Sequence, residues 1–131
     1  MKIMVCYNGT NVAKKALELA LRYSKSFGAT IYAVTALDGD PKKQLDDLET
    51  AEKILEYANN FLTIDGIKTE TKLLPANNLS VAENINTFAE MEQIDKLIIG
   101  VERKSKVGKF FFGSTAQDII LLAPCPVIIA K

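Results

Sequence analysis

A chain of 131 residues, 48% hydrophobic and 24% charged, is long enough to bury the core of one domain. Its 16 basic and 16 acidic residues cancel, so no net field draws it toward nucleic acid or an anionic membrane. Histidine is absent, which removes Ser-His-Asp and Cys-His nucleophile systems, histidine general bases and histidine-ligated metals together.

No signal-peptide pattern and no bilayer-length apolar run is present, which predicts a cytoplasmic protein without a membrane partner. Lys2 to Tyr7 is a nearly continuous apolar run and reads as a strand buried on both faces. Asn8-Gly9-Thr10 is turn chemistry, with Thr10 or Asn11 available to cap a helix. Val12, Ala13, Ala16, Leu17, Ala20, Tyr23 and Phe27 recur at helical spacing up to the stop at Gly28. Thr30 to Ala36 is the second strand. Leu45, Leu48, Ala51, Leu55, Ala58 and Leu62 then mark a long helix.

From Ile67 to Leu74 apolar or threonine positions alternate with Lys68, Glu70 and Lys72, as expected of a half-exposed edge strand. Ser80 followed by Glu83 is a capping-box signature opening a third helix through Val81, Ile85, Phe88 and Ala89. Lys96 to Gly100 is the fourth strand, Ala116 to Leu122 a helix closed by Pro124, and Pro126 to Ala130 the last strand. Cys6 reads as a small buried hydrophobe, and Cys125, between two prolines, has no partner spacing such as CxxC.

Strands alternate with helices through connections too long for hairpins. The expectation is a single α/β domain over 1–131: a three-layer sandwich, Rossmann-like, with four helices on a five-stranded parallel doubly wound sheet. The strand order is expected to be 3-2-1-4-5. In that order the direction of travel reverses between strands 1 and 4, and ligands of open α/β sheets bind beyond the carboxyl ends at such a switch point. Those ends are Tyr7 to Thr10 and Ile99 to Val101.

The stretch Ile98 to Ser114 joins a strand end, a basic glycine-marked loop and a helix start at Gly113-Ser114-Thr115. Unpartnered N–H groups and the positive end of the helix dipole favour an anion there. Several nucleotide signatures fail. The P-loop pattern around Gly108-Lys109 puts Arg103 at its first glycine and Phe110 at its Ser/Thr. GxGxxG is missing after the first strand, and the clustered acids of a response regulator are missing too.

Gly100, then Arg103, then Gly113-Ser114 after nine residues, followed by Ala123-Pro124-Cys125-Pro126-Val127, resembles the universal stress protein family. That family's hallmark is G-x2-G-x9-G-[ST] between the fourth strand and the last helix. The opening IMVCYNGTNVAKKAL and the segment GATIYAVTALD are similar to its first strand, turn and helix and to its second strand. The resemblance covers the whole chain. It implies a fold of the adenine-nucleotide α-hydrolase-like type, a stress-response role, ATP or another adenine nucleotide as ligand, and a homodimer pairing the terminal strands, Val127 to Ala130.

Two positions depart from the family pattern. Arg103 stands at the second loop glycine and Asn8 at the first-turn aspartate. Arg103 either blocks the backbone's approach to phosphate or donates a bidentate pair to it. Asn8 lacks the charge that would coordinate Mg²⁺. The implied site comprises Asn8, Gly9, Thr10, Ala36, Gly100, Arg103, Lys104, Gly113, Ser114 and Thr115, with Ala36 as an apolar contact to the base.

Each of these has a plainer reading. Arg103, Lys104, Lys106 and Lys109 form either a phosphate clamp or a solvated charge run. Ser114 is a phosphate ligand, a helix N-cap or both. Phe110 to Phe112 anchor the loop or stack on a base. Asp38 and Asp40 line the base end of the pocket or shape a turn. No general base stands out, so catalysis is expected to be slow or absent. The competing reading is a member that binds no nucleotide and acts through dimerisation and protein contacts.

Overall fold

In the computed structural model, residues 1–39, 44–102 and 114–131 are described. In chain order the elements are β1 (Lys2–Cys6), α1 (Asn11–Phe27), β2 (Thr30–Ala36), α2 (Gln44–Thr63), β3 (Thr69–Leu74), α3 (Val81–Met91), β4 (Lys96–Gly100), α4 (Ser114–Leu122) and β5 (Val127–Ala130). All neighbouring strands run parallel in the order β3-β2-β1-β4-β5, as the crossover argument expects.

Local chemistry sets the helix ends. The Thr10 hydroxyl accepts from the Ala13 N–H at 3.2 Å and caps α1. Gly28, at φ 69°, donates its N–H back to the Ser24 carbonyl and ends that helix. Ser80 and Glu83 form both bonds of the capping box at the start of α3. α4 begins at Ser114 itself, so Ser114 stands in the first turn rather than in the cap position that the sequence suggests.

Strand periodicity sorts the core into two layers. Ile3, Val5, Tyr7, Ile31, Ala33 and Ile98 pack with α1 and α2, whereas Met4, Tyr32, Val34, Leu97 and Ile99 pack with α3 and α4. Continuous apolar runs therefore signal burial on both faces, and β3, whose sequence alternates, is the half-exposed edge, with Glu70, Thr71 and Lys72 all exposed. Two residues on the apolar stripes expected for α1 and α2 are exposed. Leu45 is exposed because α2, with 20 residues, rises ~30 Å. The six-residue β3 beneath it rises only ~20 Å. Phe27, the last residue of α1, is also exposed and stacks on Tyr23 with ring centres 5.9 Å apart.

Candidate functional site

The ends of β1 and β4 part at the middle of the sheet. The chain leaves β1 for α1 on one face of the sheet and leaves β4 for α4 on the other. β1 is tied to β2 beyond its last residue. The Tyr7 N–H donates to the Val34 carbonyl at 2.8 Å, and the Thr35 hydroxyl donates to the Tyr7 carbonyl at 2.6 Å. On the other side the Val101 N–H donates to the Ala130 carbonyl at 2.8 Å.

Between these fixed ends lies a cavity of about 290 Å³. Cys6, Val34, Ala36 and Ile99 make its floor, Val81 and Ile85 of α3 and Ile119 of α4 its walls. Asn8, Thr35, Gly100 and Thr115 stand among the lining residues that bring polar atoms to it. No charged side chain lines it among the described residues. Such a space suits a flat, mostly apolar group with polar edges.

Turn chemistry shapes the rim. Asn8 Oδ1 accepts from the Thr10 N–H at 3.1 Å and from its hydroxyl at 2.7 Å, an Asx turn that leads into the α1 cap. Gly9 takes φ 80°, a backbone conformation in which a side chain is strained. Burial, and secondarily the nearby Cys125, pushes the Cys6 thiol up to about 12. The cavity floor thus carries a neutral thiol at physiological pH. Burial and the neighbouring Tyr57 also raise the Tyr7 hydroxyl, whose ring stacks on Tyr57 at 6.3 Å. Burial and Asp95 raise Cys125.

Of the residues singled out in the sequence, Asn8, Ala36, Gly100 and Thr115 line the cavity together. Gly9 and Thr10 form the adjoining turn without lining it, and Ser114 is exposed on the first turn of α4. Arg103, Lys104 and Gly113 lie outside the described residues, as do Lys106, Lys109, Phe110 to Phe112 and Asp40. Asp38 lines a neighbouring hollow of about 390 Å³ with Gly39, Asn77 and Ser80, which meets the main cavity at Val81.

Sequence reasoning missed the apolar walls. Val81 and Ile85, one turn apart at the start of α3, were legible as a helix face but not as a lining. Val34 carried a usable signal, since it lies two residues before Ala36 and shares its side of β2.

The whole chain, residues 1–131, matches the model of the Universal stress protein family. A universal stress protein of Thermus aquaticus is 30% identical over 138 residues, covering 98% of this chain and 97% of that one. A universal stress protein structure from Archaeoglobus fulgidus superposes with a TM-score of 0.85 at 28% identity, covering 99% and 96% of the two chains. The structure of the universal stress protein from the same organism in complex with dAMP gives 0.80 at 26% identity, covering 99% and 95%.

Proposed function

This chain belongs to the universal stress protein family, and we propose that it is a cytoplasmic stress-response protein whose cavity between β1 and β4 binds an adenine nucleotide, ATP included. The observation that carries this reading is the cavity itself: a mostly apolar space whose described lining residues carry no charge, with polar rim atoms, at the switch point of a doubly wound sheet. The dAMP complex of the Archaeoglobus fulgidus relative, at 26% identity over nearly the whole chain, supports the choice of base.

In this reading the base enters between Ala36 and the α3 wall. The phosphates lie toward Gly100, Gly113, Ser114 and Thr115, where the first N–H groups of α4 favour negative charge. Arg103 and Lys104 supply cations, and Asn8 forms the opposite wall, held there by the Gly9-Thr10 turn. The role is binding rather than turnover. None of the described lining side chains is a carboxylate, lysine or histidine that would serve as general base at neutral pH.

Titration calorimetry with ATP and AMP tests the reading, using the native chain beside Ala36→Tyr, whose ring would fill the cavity. One nucleotide per native chain, with binding lost in a variant that melts normally, is the expected result. Absence of binding, or binding undiminished by the ring, overturns it.

A homodimer through β5 forms the second part of the proposal. β5 ends the sheet, and α4 just before it exposes Leu121 (70%) and Leu122 (60%). An apolar edge strand beside exposed leucines is a surface that a second copy would cover.

A further inference from the structure

This inference rests on the nucleotide reading and concerns the atom that the cavity rim offers to its ligand. Asn8 Oδ1 accepts from both the N–H and the hydroxyl of Thr10. A backbone N–H can only donate, so the amide oxygen must be the atom that faces Thr10. The hydroxyl is held in turn by the Ala13 N–H, at 3.2 Å, as the cap of α1. The turn and the helix start therefore fix which way the amide points, and its NH₂ faces away from them. Among the described residues no acceptor pairs with that NH₂.

A divalent cation such as Mg²⁺ is held by carboxylates together with substrate phosphates. The described lining contains no carboxylate, and the Asn8 oxygen is already shared by two donors. The donor set of the described residues does not fit the metal. We propose that Asn8 is a specificity-determining residue of this crevice: its N–H groups meet a sugar or phosphate oxygen, and the nucleotide is taken without a divalent cation.

Asn8→Asp isolates this atom. An aspartate keeps an oxygen for Thr10, so the turn and the cap persist, while an anionic oxygen replaces the NH₂ on the ligand side. The test is calorimetry with ATP, in EDTA and in excess Mg²⁺, on the native chain and on Asn8→Asp. The native chain should bind ATP in EDTA at least as tightly as in Mg²⁺. The variant should bind roughly tenfold or more weaker in EDTA and recover with Mg²⁺.

A native affinity that rises about tenfold on adding Mg²⁺, or a variant equal to the native chain in EDTA, would overturn the assignment of Asn8 and leave nucleotide binding standing. No binding of ATP or AMP by the native chain under either condition would overturn both.

Discussion

A Cβ placed on Gly100 would collide with the Val12 carbonyl and stand 2.7 Å from the Ala13 nitrogen. The end of β4 therefore lies directly against the first turn of α1. The space beside the Gly100 Cα is taken by the backbone of α1, so packing by itself requires a glycine at this lining position. Gly100→Ala should destabilise the protein by about 1–3 kcal/mol, the usual cost of overpacking a filled site. Urea unfolding measures it. Unchanged stability with lost nucleotide binding would instead give Gly100 a role toward the ligand alone.

Thr10 caps α1 through its hydroxyl and also donates to Asn8. Thr10→Ala removes both bonds and should cost about 1 kcal/mol of stability. Thr10→Ser keeps the hydroxyl and should restore most of it. A serine variant as unstable as the alanine variant would point to the lost methyl group rather than the cap.

The Cys6 thiol, raised from 9.0 to about 12 by burial and by Cys125, links stability to alkaline pH. Below pH 9 the thiol is protonated in folded and unfolded chains alike, and its contribution is fully present. Between pH 9 and 12 the unfolded chain releases the proton first, so stability falls as pH rises. Native protein should therefore lose stability across this window faster than Cys6→Ala, measured by unfolding midpoints at each pH. At pH 8 the half-buried, protonated thiol should also react more slowly with iodoacetamide in the folded chain than in the unfolded one.

The backbone of β5 offers a test of the dimer. Parallel pairing directs the Pro126 and Ala130 carbonyls to β4, where they accept from Leu97 and Val101. By the same alternation the N–H and C=O groups of Val127 and Ile129 point to the outer edge. Ile129→Pro removes an outward N–H while sparing the bonds to β4, a substitution that edge strands tolerate. Light scattering should give the mass of two native chains and of one Ile129→Pro chain. A native monomer, or a proline variant that remains dimeric, would remove this edge as the interface.

Much of this molecule follows from the sequence alone. Continuous apolar runs in β1, β2 and β4 mark strands covered on both faces, and the alternation after Ile67 marks the edge. Thr10, Gly28 and the Ser80–Glu83 pair place helix ends because capping is satisfied by residues within a few positions of one another. Strand order follows as well, since right-handed crossovers leave few ways to wind five parallel strands.

What lies around the site required the tertiary structure. Nothing near Gly100 in the chain announces Val12, and nothing near Ala36 announces Val81, Ile85 or Ile119. Leu45 and Phe27 show the same limit from the other side, apolar residues in phase with a buried stripe yet beyond the reach of the sheet. Periodicity reports which face of an element is buried, because it is a property of a few turns of chain. Which residues meet across elements, and where a gap is left between them, depends on helix lengths, crossing positions and close backbone contacts that exist only once the layers are packed.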